Sequence, residues 1–279
     1  MEDKRFKVYA VLSIAIMTIS SAAVLVRAIE GVDPRVIAFW RMVGAAIILF
    51  PFVRGIQRKD LLSGILSGLF LACHFGFWFA SLKQIPVMRS TLFVTTAPIW
   101  AGLIEWVALN RPPARSFWAG LGIACPGILL LATGNWGEGN LIGDLQAIFA
   151  GIAGAAYFVI GRELRQRMGF ATYAGLVCTV AGIALFPVVL TANVALVGFD
   201  ISTWGLIGAL IAGPQLIGHN GINYVLKYLP ASTVSATTLL EPFGAALLAW
   251  FFLGEIPLAR EFAGGILIVF GIFQAIRKR

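Results

Sequence analysis

Four ionisable side chains, Arg41, His74, His219 and Glu241, lie inside long apolar runs, where a charge or an imidazole is expensive unless it faces a partner or a cavity. Their types suit recognition more than bond-making. A neutral imidazole offers one donor and one acceptor, which fits the ammonium and carboxylate of an amino acid. His74, Phe77, Trp78 and Ser81 recur at helical spacings of three, four and seven, so one helix face joins a polar ring to aromatic rings that can stack or hold an ammonium. Gln215, His219, Asn220, Asn223 and Tyr224 are dense for a lipid-facing surface, and His219 and Asn223 share a face. Tyr157 is a further cavity candidate. Arg41 can snorkel, pair with an acid such as Glu241, or capture a substrate carboxylate. An interhelical hydrogen bond is the alternative role for each polar group here. Glu105, nearer a helix end, reads as snorkelled or interfacial.

The elements that must position these groups are membrane helices. Of 279 residues, 59% are hydrophobic and 12% charged, against roughly 25% charged in soluble domains. Ten apolar segments are expected: Lys7–Ala28, Pro34–Val53, Leu61–Leu82, Val87–Leu109, Ser116–Thr133, Asp144–Gly161, Phe170–Ala192, Thr203–Leu226, Ala231–Leu253 and Glu261–Ile276. Each approaches the ~20 residues of a bilayer span and is too long and uniform for a barrel strand. The first run is too long for a signal h-region and lacks a small-residue cleavage site, so no cleavable leader is expected.

The net charge of +8 does not point to nucleic acid, because the basic residues sit in short loops without interleaved aromatics. With the amino terminus inside, 15 Lys and Arg residues fall inside (Lys4, Arg5, Lys7, Arg54, Arg58, Lys59, Arg111, Arg115, Arg162, Arg165, Arg167, Lys227, Arg277, Lys278, Arg279). Five fall outside (Arg27, Arg35, Lys83, Arg89, Arg260), so both termini are expected in the cytoplasm.

The segment Pro98–Ile128 aligns without gaps on Pro242–Ile272. Pro98/Pro242, Trp106/Trp250, Pro113/Pro257, Gly120/Gly264 and Gly127/Gly271 are among the identities. Upstream, Lys83 and Pro86 pair with Lys227 and Pro230, and a shift of one residue pairs His74 with His219, the chain's two histidines. Five spans is an odd number, so a second copy enters the membrane from the opposite side. The expected fold class is an all-α membrane protein of about ten transmembrane helices in two inverted five-helix repeats, 1–140 and 141–279. Transporters of that plan bind substrate near the midplane between repeats. Pro98 and Pro242 fall at equivalent points in the fourth and ninth spans, where matched kinks can serve as hinges. Gly64, Gly68, Ala72 and Gly76 form a close-packing face in the third span.

The run from Pro242 through Leu253-Gly254-Glu255, Pro257, Gly264 and Gly271 resembles the end of an EamA-type repeat of the drug/metabolite transporter superfamily. Arg41 in Phe39-Trp40-Arg41 resembles the arginine of the second span of such repeats. The resemblance covers the whole chain. It implies a metabolite exporter or exchanger of the bacterial inner membrane, and the third span is similar to YddG-type exporters of aromatic amino acids. The first repeat has Leu109-Asn110-Arg111 where the family often has an acidic residue. The first span has no carboxylate between Asp3 and Glu30, unlike the short proton-coupled four-helix members.

Other classes find less support. No GxxxxGK[ST] run exists for ATP-driven transport, and the glycine-rich Gly134–Gly139 reads as a turn. The histidines lack acidic partners at zinc spacing, no Ser–His pair is suggested, and neither a carbonyl filter nor a charged ring marks a channel. Cys73, Cys125 and Cys178 lie in apolar runs with no metal or disulfide pattern. The expectation is a non-enzymatic transporter without cofactor or metal, working as a monomer in the bilayer on an amino acid, aromatic or neutral. A polyamine, nucleoside or amphiphilic drug is the alternative substrate. Binding is expected at Arg41, His74, Phe77, Trp78, Tyr157, His219, Asn223 and Glu241.

Overall fold

The computed structural model describes residues 2–82, 84–85, 87–132, 140–253 and 259–276. Lys83, Pro86, Gly134–Gly139, Gly254, Glu255, Pro257 and the basic residues Arg277, Lys278 and Arg279 lie outside them. The regular elements among the described residues are all helices, with no strand. The helices are α1 (Glu2–Ala28), α2 (Pro34–Leu49), α3 (Arg58–Ser81), α4 (Val87–Val94), α5 (Ala97–Val107), α6 (Arg115–Ala132) and α7 (Leu141–Leu164). They continue as α8 (Phe170–Thr191), α9 (Ile201–Leu210), α10 (Asn220–Val225), α11 (Ala231–Thr237), α12 (Glu241–Leu253) and α13 (Ala259–Ile276).

Among the described residues seven segments are long and apolar enough to cross a bilayer: Arg5–Val26, Pro34–Phe52, Arg58–Ser81, Leu141–Leu164, Phe170–Thr191, Ile201–Val225 and Ala231–Phe252. Arg115–Leu130 and Phe262–Ile276 are shorter apolar helices. The expected fourth span differs for a local reason. It is broken at Thr95–Thr96, where both threonine hydroxyls donate to carbonyls three residues back, so α4 and α5 are separate short helices. Many large apolar side chains, Phe251, Val107, Phe273 and Ile183 among them, remain outward-facing, as a lipid environment allows.

Helix starts carry their own caps. Asp33 Oδ1 accepts from Arg35 N at 2.9 Å ahead of Pro34 at the first helical turn of α2. Asn140 Oδ1 accepts from Gly143 N at 2.8 Å at the start of α7. Asp200 Oδ1 accepts from Thr203 N at 2.7 Å ahead of α9, and that bond holds the exposed carboxyl below its ordinary pKa.

Packing follows the small residues. α3 lies against α8, where Gly64 faces Leu176 and Gly68 faces Val180. α2 also packs on α8, and α3 on α7. α1 lies along α9, the segment Ile211–His219, α10 and α12. α6 and α13 make the most extensive pair, with backbones in near contact. A Cβ at Gly120 would stand 2.4 Å from the Gly271 carbonyl oxygen, and one at Gly127 would stand 2.5 Å from that of Gly264. Position 120 meets 271 and position 127 meets 264, so the two helices run antiparallel.

Candidate substrate-binding site

Arg41 sits in the second turn of α2 and is 1% exposed. It does not snorkel. Its Nε donates to Gln215 Oε1 at 2.9 Å, an Nη lies 3.4 Å from the Pro214 carbonyl oxygen, and its guanidinium stacks 4.5 Å from the Phe75 ring centre. That carbonyl belongs to Ile211–His219, which winds as a π-helix containing Pro214. Such wide turns cluster at functional sites. This one brings Gln215 and His219 to the interior, where both are buried.

Phe75 is the hub. His219 packs on its ring at 5.4 Å between centroids, Trp78 lies at 6.3 Å, and His74 stands 6.4 Å from His219. His74 Nδ1 shares a hydrogen bond of 2.9 Å with the Ala150 carbonyl of α7. Gly154 makes room for this, since a Cβ there would lie 2.8 Å from His74 Nδ1. One layer deeper, the Tyr157 hydroxyl donates to Asn223 Oδ1 at 2.5 Å, and Asn223 Nδ2 donates to Asn220 Oδ1 at 3.3 Å. Tyr173 stacks on Tyr157 and bonds Ser67 at 2.8 Å. Glu241 is half-buried at the start of α12 and acts on Arg41 through space. No direct ion pair joins them among the described residues.

The structure therefore brings Arg41, His74, Trp78 and His219 into one cluster, with Tyr157 and Asn223 as a hydrogen-bonded pair beside it. Phe77 lies apart from this cluster. It is 41% exposed and packs on Phe149 at 6.1 Å, on the far side of α3 from Phe75. The buried face of α3 runs through Gly64, Gly68, Leu71, Phe75 and Trp78, and at about 100° per residue Phe77 points roughly 140° away from the centre of that stripe. Extending the glycine stripe by helical periodicity identifies Phe75. Tyr173 and Ser67 carried no comparable signal.

Pro98 and Pro242 each occupy the second residue of a helix, α5 and α12, immediately after an interruption of the fourth and ninth segments. Glu105 is a correction. It is 7% exposed, and its carboxylate accepts from Ala231 N at 2.8 Å and Ser232 N at 3.3 Å, capping α11 from another helix. The same end of the bundle holds the ion pairs Arg167–Asp60 at 2.6 Å and Arg111–Glu163 at 2.5 Å, and Arg162 donates to the Lys227 carbonyl at 3.3 Å. Glu105→Ala is expected to cost the cap, about 0.5–2 kcal/mol, and to lower the thermal midpoint in detergent by a few degrees, with Glu105→Gln intermediate. An unchanged midpoint would show the cap to be dispensable.

The EamA-like transporter family matches the chain twice, over residues 6–133 and 141–277. The chain belongs to this family. Among relatives of the EamA-like chain is the uncharacterized transporter YdfC of Bacillus subtilis, 25% identical over 88% of this chain and 82% of its own length. The pseudopaline exporter CntI of Pseudomonas aeruginosa is 24% identical over 87% and 86%. A protein of known crystal structure superposes with a TM-score of 0.81 over 97% of this chain and 96% of its own, at 20% identity, which shows a shared fold. The EamA-like protein is thus a multi-pass membrane protein of a transporter family, with lipid around it and a small molecule as cargo.

Proposed function

We propose that this EamA-like chain is a secondary exporter of amino acids, aromatic or neutral, that works by alternating access in the bacterial inner membrane as a monomer with both termini in the cytoplasm. The observation that carries this reading is the cluster of Arg41, His74, Trp78 and His219 around Phe75, buried at membrane depth and assembled from α2, α3 and the π-helical segment. Arg41 offers a carboxylate its partner, and Glu241 on a different helix offers an ammonium its own. Opposite charges on separate elements suit a zwitterion better than a polyamine, which would meet one acid beside a buried guanidinium. The relative named as an exporter supports the outward direction.

Ten spans in two inverted repeats, 1–140 and 141–279, fit the helix pairings. If α6 corresponds to α13, the contacts 120–271 and 127–264 exchange under a two-fold axis, because 120 corresponds to 264 and 127 to 271. The pairing of α3 with α7 likewise corresponds to that of α1 with α9–α10. On this reading the interruptions before Pro98 and Pro242 are the hinges, and α3 and α9–α10 supply recognition.

The test is counterflow of labelled phenylalanine in liposomes holding the purified protein, with His74→Ala beside it. Flux above empty liposomes is expected, falling roughly tenfold in the variant if a buried hydrogen bond of about 1–3 kcal/mol is lost at the site. Flux undiminished in the variant would make His74 purely structural. No flux from folded protein would sink the amino acid assignment.

A further inference from the structure

Three buried polar atoms in the cluster have no partner in the protein: Trp78 Nε1, His219 Nδ1 and Asn220 Nδ2. Trp78 and His219 are each 9% exposed and Asn220 is 1% exposed. A buried polar group left unpaired costs about 1–3 kcal/mol, and native proteins tolerate few of them. Their neighbours are satisfied, with His74 on the Ala150 carbonyl, Arg41 on Gln215 and Tyr157 on Asn223. Trp78 and His219 both pack around Phe75, and Asn220 joins the adjoining layer through its bond to Asn223, which holds Tyr157.

The chemistry of the three is one-sided. An indole N–H can only donate. The amide of Asn220 is oriented by a chain of bonds, in which the Tyr157 hydroxyl donates to Asn223 Oδ1 and Asn223 Nδ2 donates to Asn220 Oδ1. That leaves Asn220 presenting its NH2, again a donor. An imidazole nitrogen completes the set and can donate in the matching tautomer.

We infer that Trp78, His219 and Asn220 form a second subsite, distinct from Arg41, that reads a hydrogen-bond acceptor on the substrate's side chain. The inference rests on the amino acid reading above and narrows it. Favoured substrates carry a carbonyl or carboxylate oxygen a few bonds from the α-carbon, and side chains of pure hydrocarbon are disfavoured because they leave the donors unpaired. Sites built to bond a substrate's polar group discriminate strongly against analogues that lack it.

The experiment is inhibition of labelled glutamine counterflow in proteoliposomes by unlabelled glutamine, glutamate and norleucine, whose side chains are of similar length. Glutamine or glutamate is expected to inhibit at a concentration about tenfold or more below that of norleucine, and the better of the two tells whether a neutral or an ionised acceptor is read. In Trp78→Phe, which keeps a ring and loses the N–H, the ratio is expected to fall toward one. Asn220→Asp, which presents an acceptor in place of the donor, should penalise glutamate specifically, so the test does not hang on one variant. Norleucine equal to or better than both polar competitors in the unmodified protein would overturn the subsite and leave the amino acid reading standing. Absence of glutamine flux beside measurable phenylalanine flux would likewise overturn the subsite alone, and absence of flux for either amino acid would overturn both.

Discussion

Arg41→Ala is expected to abolish counterflow while leaving a folded, monodisperse protein. Arg41 is the charge at the centre of the cluster, and truncating one partner of a buried, hydrogen-bonded charge pair costs about 2–5 kcal/mol, roughly 30-fold or more in affinity for a carboxylate substrate. Arg41→Lys should rescue little. An ammonium cannot reach Gln215 Oε1 and the Pro214 carbonyl while lying flat on Phe75, as the guanidinium does. Apparent affinity and maximal rate from substrate titrations are the measurements. If Arg41→Ala keeps its affinity and loses only thermal stability, the arginine is a structural strut between α2 and the π-helical segment.

The second large effect is expected at the α6–α13 seam. Gly120→Ala should destabilise the protein by about 1–3 kcal/mol through overpacking, or about 2–4 °C in thermal midpoint per kcal/mol for a chain of this size. A Cβ there would lie 2.4 Å from one backbone oxygen and 2.5 Å from a backbone nitrogen, and backbone cannot swing aside. Gly122→Ala is the control, because a Cβ at that position meets nothing within 4 Å. Equal midpoints for the two variants would contradict the close approach of the helices.

Much of this was legible in the residues. Apolar runs announced the helices, and the unusual cost of a buried Arg, His or Glu pointed to the interior cluster before any contact was known. The Pro98/Pro242 equivalence anticipated interruptions at both places. Phase was the harder quantity. In Phe75-Gly76-Phe77-Trp78-Phe79 nearly every face is aromatic, so hydrophobic periodicity cannot say which ring turns inward. The glycines at 64 and 68 hold the missing phase, because only the face against α8 demands small residues. The cap made by Glu105 is hidden from the sequence for another reason. Its partners are the backbone amides of Ala231 and Ser232, which have no side-chain signature and lie more than a hundred residues away.

The depth of Arg41 has an electrical consequence. It stands about seven residues, roughly 10 Å, along α2 from Pro34, within the region where the membrane voltage falls. A unit charge carried across the whole of that drop exchanges about 2.3 kcal/mol per 100 mV. Glu241, of opposite sign on α12, counters Arg41 when both move together, and leaves the cycle voltage-sensitive when only one of them does. On the proposed cycle, the two helices that carry these charges therefore set how strongly the membrane voltage biases the conformational step.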